Sequence, residues 1–232
     1  MKKETQETIL ELVKTHYNEI AFDFSQTRKK MFWPELFKIS QDVQTGDRLL
    51  DAACGSGRLL DDFQDKNIEY FGVDNSIELI ACAKKNYPGK NFQVDDLLLL
   101  DKVENNYFDW VFCIAALHHL PGEDLRLQAL RKLAEKMKPN GRLIISVWRP
   151  IKNKKFLRAK RLNFLRKIFF LSNLDFGDAI FHWGDQKKYP KITQRYYHAF
   201  SASELKKIIK KADLEIIDFK SDFHNYFVYL KK

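Results

Sequence analysis

Apolar residues recur at helical spacing over 5–20, where Ile9, Leu12, Val13 and Ile20 share one side and predict a helix. A second helix is predicted around Pro34–Ile39, since proline suits a first helical turn. From 47 the pattern changes to short apolar runs alternating with amphipathic ones. "RLLDAA" predicts a strand, followed by a glycine-containing turn and the helix "GRLLDDF". "IEYFGVD" predicts the next strand and "SIELIACAKKN" its helix; "NFQVDD" and "FDWVFCIAAL" predict a third strand and a long, buried fourth. "EDLRLQALRKLAEKM" predicts an amphipathic helix with Leu130, Leu133, Ala134 and Met137 on its apolar face. "PNG" then turns the chain into a fifth strand, "RLIISVW". This alternation implies right-handed crossovers and a mostly parallel sheet.

The rhythm breaks over 149–190. From Arg149 to Lys167 there are nine Lys/Arg and no acid, interleaved with Phe156, Leu157, Leu162, Phe164 and Leu165. "SASELKKIIKKA" reopens the pattern with a predicted capping box, Ser201 as N-cap and Glu204 three residues on. "LEIIDFK" and "HNYFVYL" predict two last strands, close enough to pair antiparallel at one sheet edge. The expected organisation is one domain: N-terminal helices over 1–45, a core over 46–148, a basic insertion over 149–200, and a final helix with strands over 201–232.

Charge alters this picture more than composition does. The chain of 232 residues carries a formal +9, which points to an anionic partner. Its three cysteines, Cys54, Cys82 and Cys113, lie far apart without C-x-x-C spacing, which argues against a disulfide framework or an internal zinc site. The start "MKKETQETILELVKTHY" is charged throughout, and no run approaches the roughly 20 apolar residues needed to cross a bilayer. A cytoplasmic protein without a membrane partner is expected.

The candidate chemistry begins at "LLDAACGSGRLL", a strand ending in an acid, then a turn of small residues. Gly55 and Gly57 let the backbone approach a ligand and place a helix N-terminus against it. A dinucleotide fingerprint requires G-x-G-x-x-G, but the third position is Leu60. S-adenosylmethionine (SAM) has no phosphate to cradle and requires an acid near its ammonium group, which Asp51 supplies. A tight turn in an α/β core explains the glycines alone. Asp74 ends the second strand, where a carboxylate accepts both ribose hydroxyls. Asp95 and Asp96 end the third, where one of them accepts from an adenine amino group. A lone strand-end Asp is ordinary turn chemistry; three in succession are not.

In these motifs, over about 47–148, the chain resembles the class I SAM-dependent methyltransferases: "DAACGSG", "GVD", "VDDL", "FDWVFCIAALHHL" and "KPNGRLIISVW" occur in the family's order. The resemblance implies a Rossmann-like α/β sheet of seven strands, mostly parallel with the last strand antiparallel, and helices on both faces. It adds Tyr17, Ala53, Asn75, Leu97 and Ala115 to the cofactor residues. Ala53 departs from the family, which usually has Gly there.

The flanks "YNEIAFDFSQTRKKMFWPEL", "LHHL", "GDAIFHW" and "RYYHAF" resemble a narrower group, the tRNA methyltransferases that esterify 5-carboxymethyluridine at the wobble position. His182 stands where those enzymes usually have Pro. The eukaryotic members work with a small zinc-binding activator protein, so the resemblance permits such a partner. Methyl transfer from a sulfonium is an in-line displacement that the protein mainly aligns. A carboxylate acceptor is ionised at neutral pH and requires cationic or N–H donors rather than a base. Arg28, His118, His119, Arg195 and His198 are the right types, with Tyr197 packing against a base. An amine or hydroxyl acceptor would require a base, which the histidines could supply, and both remain open. The basic run, including Lys152, Lys154, Lys155, Arg158, Lys160 and Arg161, reads as a solvated face, an RNA phosphate surface or a membrane-surface helix. A small-molecule O- or C-methyltransferase would share the whole cofactor half, with the run as a lid.

Overall fold

The computed structural model describes residues 1–28, 33–150, 153–182 and 194–232, with Arg28 by its backbone alone. Lys152, Trp183 and the stretch 29–32, all singled out in the sequence, lie outside the described residues, as does the side chain of Arg28.

The apolar runs become strands β1 (Arg48–Ala52), β2 (Glu69–Asp74), β3 (Asn91–Val94), β4 (Phe108–Ile114) and β5 (Met137–Trp148). Leu49, Leu50, Val111, Phe112 and Cys113 are all fully buried, as strands covered on both faces must be. With β8 (Glu215–Ser221) and β9 (Asn225–Lys231) they form one sheet in the order β3-β2-β1-β4-β5-β9-β8. The first five are parallel, and β9 runs antiparallel between β5 and β8. The two last strands do pair antiparallel, but the chain's final strand lies inside the sheet and β8 forms the edge. Strand order reverses between β1 and β4, which opens a crevice at their carboxyl ends.

The helices are α1 (Lys3–Arg28), α2 (Pro34–Asp42), α3 (Ile77–Asn86), α4 (Glu123–Lys136), α5 (Lys154–Ile168) and α6 (Ala202–Lys211). α1 runs past its predicted end because polar contacts hold its second half to α3. Ser76 donates to Asn18 at 2.6 Å and Asn86 to Ser25 at 3.1 Å. Apolar periodicity does not register such contacts. "GRLLDDF" becomes a 3-10 turn, Arg58–Phe63, rather than an α-helix. Three residues per turn let Leu60 and Phe63 bury on the same side. "PNG" is absorbed into β5 as an irregularity: Met137 pairs with Phe108, and pairing resumes at Arg142 with Trp110. On α4, Leu130 and Leu133 are buried as expected, while Met137 is buried as the first residue of β5.

A second sheet forms that the apolar pattern does not announce. β6 (Asp178–His182) pairs antiparallel with β7 (Gln194–His198), setting Phe181 opposite Arg195. α5 packs on β6 through Phe156, fully buried between Trp148 and Phe181 at ring separations of 5.8 and 5.6 Å. Lys154, Lys155, Arg158 and Arg161 remain exposed, with Lys160 half-buried. The predicted capping box of α6 is present in full. Among the described residues no helix is long and apolar enough to cross a membrane.

Gly57, just before the 3-10 turn, has φ +82, and an added Cβ there would lie 2.8 Å from the Phe92 ring. At Gly55, φ +56, the nearest atom would be 3.7 Å away. Gly57→Ala is therefore expected to cost about 2–4 kcal/mol, and Gly55→Ala about 1–2 kcal/mol of backbone strain alone. Urea titrations of the two variants check the ranking; equal losses would refute it.

Candidate active site

A cavity of about 1220 Å³ opens at the carboxyl ends of β1 to β4, walled by α1 on one side and β7 on another. It brings together Tyr17, Asp51, Ala53, Gly55, Asp74, Asn75, Asp95, Asp96, Leu97 and Ala115, together with His118, His119, Arg195 and Tyr197.

Its first pole is acidic. Asp51 is 2% exposed at the end of β1 and accepts the Tyr70 hydroxyl at 2.8 Å. Burial pushes its pKa up to about 7, the Tyr70 bond opposes this, and the neighbouring Asp74 adds to it. Asp74 accepts the Gly55 and Ser76 backbone N–H groups, each at 2.9 Å, so one carboxylate ties the β1 turn to the end of β2. Burial raises its pKa as well. Asp95 accepts from the Asp96 and Lys102 backbone, and Asp96 from Leu98. Ala53 takes φ +65, a left-handed conformation that costs a residue with a Cβ about 1–2 kcal/mol. Gly57 does not line the cavity. Its lack of a side chain admits Phe92 and Tyr87 instead.

The second pole is cationic and comes from α1, β7 and the 3-10 turn Leu117–His119. Arg195 is 3% exposed and donates from Nη1 to the Tyr197 hydroxyl at 3.1 Å. Its guanidinium carbon stands 5.0 Å from the Tyr17 ring centroid. His119 Nδ1 lies 3.1 Å from the Tyr196 carbonyl, to which it must donate, so its Nε2 accepts from the Tyr17 hydroxyl at 2.8 Å. His118 Nδ1 accepts the Trp148 backbone N–H at 3.3 Å, which leaves the ring proton on Nε2. Its ring stacks on Tyr197 at 4.8 Å. Burial, then Arg195, holds the His118 pKa down to about 3; burial and the charge of its neighbours hold His119 well below the ordinary value. Both imidazoles are neutral and committed to one tautomer.

His198 corrects an expectation. It is 1% exposed and faces away from the cavity, with Nδ1 on Asp178 and Nε2 on Glu204, each at 2.7 Å. Two carboxylates occupy both ring nitrogens, so it braces β7 against β6 and α6 rather than reading an anion. "RYYHAF" thus divides: Arg195 and Tyr197 face the cavity, while Tyr196, fully buried, donates to Asp178 at 2.8 Å. Residues the sequence did not single out complete the site. Tyr70 holds Asp51, Trp148 orients His118, and His16 contacts Arg195 at 3.0 Å. Tyr70 alone had a local signal, two residues before the glycine of "GVD" in a strand adjoining Asp51.

Comparison with known proteins bears on this arrangement. The chain is 36% identical over 138 residues to the tRNA (carboxymethyluridine(34)-5-O)-methyltransferase of Saccharomyces cerevisiae, covering 60% of this chain and 48% of that protein. It thus spans about half the length of that relative. It is 27% identical over 241 residues to the enzyme of the same name from Schizosaccharomyces pombe, covering 96% of each. In fold it is similar to a SAM-dependent methyltransferase from Methanosarcina mazei, with TM-score 0.67 at 20% identity over 87% of this chain and 98% of that one. It also resembles the putative methyltransferase solved with the Haloferax volcanii Trm112 methyltransferase activator, with TM-score 0.65 at 17% identity over 94% and 96%. A family model described as a methyltransferase domain matches residues 24–218, most of the chain, and the chain belongs to that family.

Proposed function

We propose that this protein is a SAM-dependent methyltransferase that esterifies the carboxylate of a 5-carboxymethyl group on the wobble uridine of tRNA. The observation that carries the reading is the pairing of a buried Arg195 with two histidines whose acceptor nitrogens are already engaged and whose pKa values burial holds down. Such a pocket suits an acceptor that is already an anion. The similarity to the yeast carboxymethyluridine methyltransferases supports the same acceptor.

The acidic pole fits the cofactor. Three strand ends offer carboxylates to one cavity, and the charge of Arg58 offsets only part of the effect of burial on Asp51. An ammonium group would restore its ionised form. Asp51 would hold that ammonium, Asp74 the ribose hydroxyls, and Asp95 or Asp96 the adenine amino group, while Gly55 admits the ligand to the backbone. When bound, SAM supplies an electrophilic methyl group on a sulfonium, and its transfer to a carboxylate oxygen moves no proton. Arg195 holds the acceptor anion, His118 offers a neutral Nε2–H, and Tyr197 packs against the base. The exposed cations of α5 hold tRNA phosphates beyond the cavity, and an activator subunit is part of the reading. The reading assigns the protein to the cytoplasm, where its three free cysteines stay reduced.

The decisive experiment incubates the protein with labelled SAM and tRNA carrying the free carboxymethyl group, followed by mass spectrometry of the nucleosides. Label in the methyl ester is the expected result; label elsewhere or none refutes the reading. With saturating ligands, kcat is expected to stay flat from about pH 5 to 8, because the His118 pKa lies near 3 and a carboxylate acceptor is ionised throughout. A rate that climbs with pH through 6–7 would restore a general base.

SAM affinity is expected to behave differently from kcat. The Asp51 pKa near 7 means the carboxyl is neutral below that pH and gains its charge above it. Kd should therefore rise toward tenfold per pH unit on acidification below about 7, and Asp51→Asn should both weaken binding and flatten this dependence. Calorimetry across pH 5.5–8.5 measures both.

Neutralising Lys154, Lys155, Arg158 and Arg161 together should flatten the slope of log K for tRNA against log salt by roughly 2–4 units. SAM affinity should not change. A full salt slope retained by that variant would leave α5 a solvated lid and favour a small-molecule acceptor.

A further inference from the structure

We propose that His16 is the positioning residue of Arg195: it accepts the Nε–H of the guanidinium and thereby fixes the orientation of that cation in the acceptor pocket. The inference rests on the reading of Arg195 as the group that holds the acceptor.

His16 lies on α1 at 1% exposure, and its Nε2 is 3.0 Å from Arg195 Nε, 179 residues later in the chain. A guanidinium nitrogen only donates, so His16 Nε2 must present a lone pair and its ring proton must sit on Nδ1. That Nδ1 is buried with no hydrogen-bond partner among the described residues. An unpaired buried donor is a standing cost that native folds seldom accept without a reason. Leucine or methionine at this helix position would fill similar volume without it. What the imidazole supplies and they do not is an acceptor for Arg195.

The cation is then held from three sides. His16 takes Nε, the Tyr197 hydroxyl takes Nη1 at 3.1 Å, and the Tyr17 ring lies 5.0 Å from the guanidinium carbon. Two of these contacts come from consecutive residues of α1 and the third from β7, so the pocket wall and its cation are set by one joint. Burial and the Arg195 charge keep the His16 pKa down to about 3, so the acceptor lone pair persists across the working pH range. A planar guanidinium has a direction as well as a charge, and displacing it misaligns the acceptor oxygen even though the charge remains.

The test compares His16→Leu, His16→Met and His16→Gln in the full chain. It measures thermal melting, SAM affinity, kcat and KM on carboxymethyl-bearing tRNA, and solvent exchange of the Arg195 Nε–H by 15N NMR. His16→Leu and His16→Met should keep SAM affinity and lose about 10–100-fold in kcat, with KM for tRNA changed by less than about threefold. Exchange at Arg195 Nε–H should accelerate in both. His16→Gln, whose Oε1 can accept the same N–H, should recover most of kcat and slow exchange again. Wild-type kcat in either apolar variant overturns the proposal, as does a His16→Gln variant no better than they are at equal melting temperature. If one apolar variant fails to fold, the other and His16→Gln decide. If wild type does not methylate tRNA, the proposed function falls by itself. The exchange measurement still stands in that case, and unaltered exchange in the apolar variants overturns the role of His16 independently.

Discussion

Arg195 carries a charge at 3% exposure, and that charge adds to burial in setting the protonation of its surroundings. An unpaired buried cation is costly, so neutral acceptors are gathered around it: the imidazole of His16 and the hydroxyl of Tyr197. Those acceptors must stay neutral, because a second positive charge at 3 Å in a poorly hydrated pocket would cost several kcal/mol. The same field reaches His118 and His119, which burial already disfavours as cations. Burial first, and then one arginine on a short strand of the second sheet, keep three histidines as neutral hydrogen-bonding groups.

The other pole is governed by the opposite sign. Asp51 and Asp74 end adjacent parallel strands, and the pairing of Asp51 with Gly72 and of Ala52 with Val73 forces them into the same crevice. Tyr70 and backbone N–H groups hold them, and the nearby charge of Arg58 offsets only part of the effect of burial on Asp51. Such a pair gains most from a positively charged ligand. The cavity thus runs from a site that favours a cation to one that favours an anion. A sulfonium donor and a carboxylate acceptor would meet between them, and their charges would vanish together in the product.

The acidic pole was legible in the sequence because each acid directly follows an apolar run, and parallel topology carries all such strand ends to one edge. The cationic pole was legible only in part. Arg195 and Tyr197 could be read as residue types, but alternate positions of one strand face opposite sides, and which side met the cavity depended on β6. Asp178, the first residue of β6, claims His198 and Tyr196 from 20 and 18 residues away. A short strand bounded by Asp and His carries too weak a pattern to announce that pairing. His16 was less visible still: a histidine within a charged helix reads as solvated until its partner, 179 residues on, is placed against it. The end of α1 was missed for a related reason, since Asn18 and Ser25 hold it through hydrogen bonds that leave no apolar period.

On the proposed reading, burying the cation that holds the acceptor resolves a conflict inherent in methylating a carboxylate. An oxygen gripped by a fully available guanidinium is well aligned but a poor nucleophile, because the charge it must donate is already neutralised. An oxygen left in water is reactive but unaligned and solvated. In this pocket Nε and one Nη of Arg195 are engaged by neutral groups, and the Tyr17 and Tyr197 rings share the field of the cation. The hold on an anion is weakened by those engagements while its direction is fixed by them. A lysine in place of Arg195 would deliver the same charge as a compact, rotatable point without a plane to be oriented. The arrangement of His16, Tyr17 and Tyr197 has a use only because the group they surround is planar, and that planarity is what converts a buried charge into a means of alignment.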